Sequence, residues 1–289
     1  MIRYLKRNQL DIKKYDACIS IAVQSKVYAF SWYLDCVLEN WDTLVLDDYA
    51  AVMPLPKAKK YGIAYIFQPF WIQHLGLFSK RSLSDAQNAD FIKNMPKKFR
   101  LIDFNINFKF QNAEERLNYI LPLGNDYKTF FKNFSKLRKR TISKAIKSKI
   151  FIKELDEWDS LLNFHRNQKS PHFKISTTAF SKLDQLLSNL NKLNKIIILA
   201  AYSKDNQLLG GAIFILSNNR ITYLYSIVNK HGRDLQAMSL IINSIIQKHS
   251  ESSFILDFEG SMLPGVAKFI KSFGAQKELY YHYKKWRLF

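Results

Sequence analysis

Apolar positions along this chain change their period several times, and each change marks an element. Residues 11–23, 30–39 and 82–94 carry apolar side chains three or four apart, the spacing of one helix face. Thr43–Met53, Tyr61–Phe70, Lys98–Phe110 and Asn118–Leu123 are short apolar, aromatic or β-branched runs and predict strands. Asp47-Asp48 marks a turn, and Pro54-Leu-Pro56 with Lys57–Lys60 predicts a loop. Phe130, Phe134, Leu137, Thr141 and Ala145 then recur at helical spacing, predicting one amphipathic helix that runs into a strand near Ile150. Helices are expected over 154–168 and 177–193, and strands over 195–203, 207–216 and 221–228. A helix over 232–249, a strand over 254–258, a helix over 263–273 and a strand over 278–286 complete the pattern.

The second half thus has the order ααβββαβαβ, a three-stranded meander followed by two crossover helices. That order predicts an α+β fold with an α/β-type mixed sheet flanked by helices. A length of 289 residues favours two domains. Composition shifts at Tyr127, which places the expected boundary between 1–126 and 127–289.

Charge sharpens the picture. The chain carries 44 Lys and Arg against 24 Asp and Glu, a net charge of +20 that predicts attraction to polyanions. From Tyr127 to Lys153 there are ten basic residues and no acidic one. Arg138, Arg140 and Lys144 lie in this run as a phosphate track for tRNA or a phosphorylated carrier; a solubilising face is the alternative. A hydrophobic fraction of 47%, with only 9 Gly and 7 Pro, excludes a disordered or low-complexity chain. Two cysteines, Cys18 and Cys36, without metal-ligand neighbours suit a reducing compartment. Six scattered histidines give no expectation of a metal. No apolar run predicts a secretion signal or an integral membrane segment, so a cytoplasmic location is expected, with peripheral membrane contact left open.

Candidate chemistry gathers near the end. Asp257 and Glu259 alternate with Phe258, which puts both carboxylates on one face at the end of a strand. One of them orients an acceptor amine or takes its proton, or else one caps the next helix and the other pairs with a lysine. Tyr225 faces a substrate channel or belongs to the core. Lys268 and Lys271 share a helix face suited to phosphate or to solvent. No GxSxG, P-loop or Cys/His pair suggests covalent catalysis, so direct attack of an amine on an activated ester or thioester is expected.

Specific residues carry a resemblance. Ser135–Ser148, and within it Lys139–Ala145, resembles the basic helix of the Fem family of peptidoglycan-bridge aminoacyl transferases. Asp257-Phe-Glu-Gly-Ser261, Pro264-Gly265-Val266 and Phe269–Ala275 are similar to that family's strand and loop after the last long helix. Trp32–Asp35, Pro54–Pro56 and Gln68-Pro69 are looser matches to its N-terminal domain. The resemblance implies two tandem GNAT-like domains and an acyl transfer to an amine acceptor. The donor would be aminoacyl-tRNA or acyl-CoA, and no resident cofactor is required. It also implies substrate contacts from Trp32, Gln73, Ser261, Lys268 and Lys271. The family's long helical hairpin has no counterpart here. A CoA-binding GNAT presents a loop of the type (Q/R)xxGx(G/A) at a helix start. With Arg233 in first place, its glycine positions fall on Gln236 and Met238. That departure favours aminoacyl-tRNA. A CoA-dependent N-acetyltransferase and a non-catalytic RNA- or anion-binding scaffold are the alternatives.

Overall fold

The computed structural model describes residues 1–168, 175–260 and 262–287. The chain begins with β1 (Ile2–Lys6), α1 (Ile12–Ile21), α2 (Ser31–Val37), β2 (Trp41–Leu46), β3 (Ala51–Lys60), β4 (Ile63–Phe67) and β5 (Phe78–Ser79). It continues with α3 (Asp85–Lys93), β6 (Phe99–Ile106), β7 (Glu114–Pro122), α4 (Tyr127–Asn133), α5 (Lys136–Lys147), β8 (Phe151–Leu155) and α6 (Asp159–Arg166). Then follow α7 (Thr177–Lys192), β9 (Ile196–Tyr202), β10 (Leu208–Ser217), β11 (Arg220–Val228), α8 (Lys230–Asp234) and α9 (Ala237–Lys248). The last elements are β12 (Ile255–Asp257), α10 (Pro264–Lys271) and β13 (Gln276–Trp286).

These elements gather into two compact units. One comprises residues 1–116, 177–189 and 279–289; the other comprises 117–176 and 190–278. The division falls at 116/117 where the sequence suggested 126/127, and the first unit takes in most of α7 and most of β13.

The first unit carries a sheet in the order β1-β2-β3-β4-β6-β13, with β5 on β3. Its pairs are antiparallel except β4 with β6, which α3 connects as a crossover. Ser84 starts α3 as a capping box with Gln87, and Phe91 and Ile92 bury its apolar face beside Met53, Ile66 and Phe104. The second unit orders its strands β7-β12-β11-β10-β9-β8. The meander β9-β10-β11 is antiparallel, and β11 with β12 is parallel. Helix α9 crosses between them, with Ile241, Ile242, Ile245 and Ile246 fully buried in the core. The expected mixed α+β architecture is therefore present, with the meander and both crossovers where the pattern put them.

Four expectations are corrected. The prolines at 54 and 56 lie inside β3 instead of a loop. They fall between the stretch of β3 that pairs β5 (Ala51, Val52) and the stretch that pairs β4 (Lys57–Lys60), so their missing N–H groups cost that edge no ladder bond. The basic helix is two helices: Ser135 accepts from the Arg138 N–H and starts α5 afresh. The helix expected over 232–249 breaks at Gln236, which is left-handed at φ 66°. The helix expected from 154 begins only at Asp159, after the strand β8. Strand β1 was not anticipated. Among the described residues no helix is long and apolar enough to cross a membrane.

Candidate active site

The second unit contains an opening built by strand length. Strands β11 and β12 pair only over Arg220–Thr222 and Ile255–Asp257. β12 then stops while β11 runs six residues further, to Val228. A parallel pair that parts at its carboxyl ends is where α/β sheets accept ligands. β11 also bulges there: Ile213 pairs Tyr225 and Phe214 pairs Tyr223, so Leu224 is the extra residue.

Tyr225 stands beside this bulge, nearly buried, and its hydroxyl lies 2.6 Å from His165 Nδ1 on α6. The two rings stack at 5.8 Å. Burial raises the pKa of the phenol, with Arg166 acting weakly the other way, so it remains a protonated donor at neutral pH.

Helix α9 starts close to the end of β11. Gln236 takes the left-handed turn that a glycine adopts most freely, and its side chain closes α8 by donating to the Arg233 carbonyl at 2.9 Å. The first N–H groups of α9, from Ala237 and Met238, have no acceptor within the helix and supply its positive end. Arg233 is exposed and bonds back to the Val228 carbonyl at 3.0 Å.

Arg138 was expected on a solvent-facing track; it is instead 4% exposed. Its guanidinium lies 4.2 Å over Phe269 and 4.4 Å over Phe273 of the α10 segment. It donates to Ser272 Oγ at 2.9 Å, to Thr141 Oγ1 at 3.1 Å and to Ser239 Oγ in the first turn of α9. No carboxylate among the described residues pairs with it, and burial lowers its pKa to about 10. A buried cation held by rings and hydroxyls alone keeps its charge for an incoming anion. Arg140 and Lys144 do face solvent, one turn apart, as do Lys268 and Lys271.

The carboxylates are not arranged as the strand pattern implied. Asp257 ends β12 with 0% exposure, and both its oxygens are occupied. Arg220 donates to Oδ2 at 2.7 Å, while Asn118 and the Glu259 N–H donate to Oδ1 at 2.9 and 3.0 Å. Glu278 closes the network, bonded to Arg220 at 3.0 Å and to Asn118 at 2.8 Å. Burial lowers the Arg220 pKa, but Asp257 and Glu278 raise it more. Asp257 thus joins β7, β11 and β12, with each of its oxygens accepting from a neighbouring element. Glu259 does not share its face: it has left the strand, with φ 55°, and Gly260 follows at φ 50°.

Trp32 and Gln73 lie in the first unit. Trp32 stacks on Phe30 and meets Tyr33 edge-on. Gln73 bonds His74 through its side chain, and its carbonyl accepts from Asn105 at 2.7 Å. Ser261 lies outside the described residues. Among the expected residues, Arg138 and Gln236 are brought together through Ser239, whose hydroxyl is 3.4 Å from Gln236 Oε1. Sequence reasoning missed His165, Arg220, Asn118 and Glu278. It also missed the Phe269–Phe273 pair as a ring clamp, although its i,i+4 spacing was readable.

No family model matches this chain, and no curated protein matches it in sequence. Solved structures do. FemX superposes with a TM-score of 0.70 at 14% identity, covering 97% of each chain. L-PGS from Bacillus licheniformis gives 0.55 at 10% identity, over 95% of this chain and 92% of that one. A C-terminal DUF2156 domain from Agrobacterium fabrum gives 0.56 at 9%, over 94% and 90%. With its two compact units and ααβββαβαβ order, the chain has the FemX-like tandem GNAT fold.

Proposed function

We propose that this protein is a Fem-type acyltransferase that moves an aminoacyl group from the ribose ester of aminoacyl-tRNA onto an amine. The likeness to FemX along nearly the whole of both chains carries the reading. A buried arginine with no carboxylate partner among the described residues, beside a helix start, supports a phosphate-bearing donor.

In this reading the acceptor amine attacks the ester carbonyl carbon. A C–N bond forms, the C–O bond to the ribose breaks, and the proton lost by nitrogen ends on the leaving ribose oxygen. Tyr225, hydrogen-bonded to His165, gives its proton to that oxygen and takes up the nitrogen's proton in exchange, so the relay leaves the phenol neutral. The β11 edge beyond Thr222 offers backbone N–H groups to the oxyanion. Arg138 and the start of α9 hold phosphate, while Arg140, Lys144, Lys268 and Lys271 guide the polyanion. Asp257 fixes the strands that frame the opening.

The test uses radiolabelled aminoacyl-tRNA mixtures with a panel of amine acceptors. Acceptor-dependent loss of label from tRNA and its recovery as amide supports the proposal. Hydrolysis at the background rate with every amine refutes it, and tight, salt-sensitive tRNA binding in that case indicates a non-catalytic scaffold.

A second reading has its own observation. The left-handed Gln236 and the open N–H groups of α9 favour a compact pyrophosphate, as in acyl-CoA. Calorimetric titration with acetyl-CoA, with ADP as control, separates the two. Saturable binding that ADP does not reproduce selects acyl-CoA as donor.

A further inference from the structure

The first unit holds a pocket of about 560 Å³ formed by its own residues. Its rim carries six cations, Lys93, Lys97, Arg100, Lys284, Lys285 and Arg287, and no acidic residue lines it. From outside the pocket, Asp90 pairs Lys93 at 3.5 Å and Asp103 pairs Lys284 at 3.1 Å. Lys97 and Lys285 have no ion pair among the described residues.

The placement of the two arginines is the unusual part. β6 and β13 pair antiparallel with Leu101 opposite Trp286, so Arg100 stands opposite Arg287. The backbone agrees, with the Arg287 N–H donating to the Arg100 carbonyl at 2.8 Å. Like charges directly opposite on neighbouring strands destabilise a sheet. Lys285 precedes Arg287 by two and shares its face. Arg287 also donates to the Met95 and Pro96 carbonyls at 3.1 and 2.8 Å, just beyond the end of α3, which fixes its guanidinium at the pocket wall. Burial lowers the pKa of this guanidinium.

The floor differs from the rim. Ile92, Met95 and Tyr283 are buried, and Phe110 meets Tyr283 edge-on at 5.2 Å. Gln111 and the left-handed Asn112 add amide groups at one side. An apolar, aromatic floor under a cationic rim is not the form of an extended polyanion track. It is a concave site of the size that takes a small molecule.

We propose that this pocket binds a small phosphorylated ligand, with a phosphate or diphosphate between Lys97, Lys285 and the Arg100–Arg287 pair and an apolar or ring portion on Phe110 and Tyr283. The site is independent of the acyl-transfer reading and stands or falls without it. Two sources supply this chemistry, a soluble phosphate ester and a phospholipid headgroup.

The probes are inorganic pyrophosphate by calorimetry and vesicles containing phosphatidylglycerol by co-sedimentation, both at about physiological ionic strength to screen loose pairing. The variant is Lys97→Ala/Lys285→Ala, which spares both arginines because Arg287 also holds backbone. Lys13→Ala/Lys59→Ala, outside the pocket, is the charge-matched control. The expected result is saturable pyrophosphate binding that weakens at least tenfold in the pocket variant and less than twofold in the control. Vesicle binding that falls in the pocket variant and is competed by pyrophosphate assigns the lipid source; pyrophosphate binding without vesicle binding assigns the soluble one. No binding by the wild type, or equal weakening in both variants, overturns the proposal. So does a pocket variant that keeps pyrophosphate binding and loses only tRNA affinity, which would make this face an RNA surface.

Discussion

Replacing Arg220 by methionine tests how the candidate site is held open. Methionine keeps much of the stem and removes the charge. Asp257, 0% exposed, keeps Asn118 and one backbone N–H but loses this cation, as does Glu278 at 28%. Breaking a buried ion pair from one side costs about 3–5 kcal/mol. Each ~1.4 kcal/mol is a tenfold change in the opening equilibrium, so that loss is on the order of a thousandfold. The assay is hydrogen exchange by mass spectrometry on peptides covering 117–123 and 254–260, with the first unit's peptides as reference. The Arg220 pKa is raised in the fold, so its stabilisation is fully present below arginine's ordinary pKa and is lost only as pH rises past the folded value. Wild-type protection from this pair is therefore constant across the neutral range. The double variant with Asp257→Asn must lose less than the sum of the single variants, with a coupling of at least about 1 kcal/mol, as contacting residues show. A single-variant loss below ~1 kcal/mol, or effects that add within ~0.5 kcal/mol, would refute the anchoring role.

Arg138→Met is expected to change the urea midpoint by the equivalent of less than about 1 kcal/mol, because an uncompensated buried charge is removed along with its hydrogen bonds. The same variant should lower acyl transfer tenfold or more, and a large stability loss with unchanged turnover would contradict the anion role. Tyr225→Phe should cost about 1 kcal/mol, the worth of one hydrogen bond, and should reduce kcat with little change in the KM for the donor. Gly260→Ala should destabilise the second unit by about 2–4 kcal/mol in urea titration: φ is 50° and a Cβ would sit 2.6 Å from Asn118 Cα. Arg140→Gln/Lys144→Gln should flatten the salt dependence of tRNA binding, measured by filter binding, by roughly 0.7–0.9 for each phosphate that is no longer neutralised.

What the sequence disclosed depended on how local the information was. The meander and its crossover helices were legible because each strand is bounded by its own turn, Asp205-Asn206 or Asn218-Asn219. Arg138 was misplaced for a definite reason. Treating 127–147 as one helix carried the phase of Phe130 and Phe134 through to Leu137, which is 57% exposed. The break before Ser135 resets the phase, so Arg138, Ile142 and Ala145 form the buried stripe of α5. Asp257 is singled out by its place at a strand end, and what the pattern does not show is the network that holds it. Its partners Asn118 and Arg220 lie 139 and 37 residues away, beyond any pattern of period two or 3.6. The left-handed turn at Glu259-Gly260 is equally hidden, since only the glycine signals it.

The return of the chain to its first unit has a consequence for synthesis. Strand β6 is complete at residue 106, but its antiparallel neighbour β13 starts at 276. At ribosomal speeds of about 5–20 residues per second, β6 waits roughly 10–30 s for that neighbour. Throughout that interval it is an unpaired edge able to recruit another nascent chain. A stop codon or a proteolytic cut ahead of β13 would leave the first unit permanently short of a strand, so expression of the intact chain, and not of an N-terminal half, is the condition for a soluble first unit.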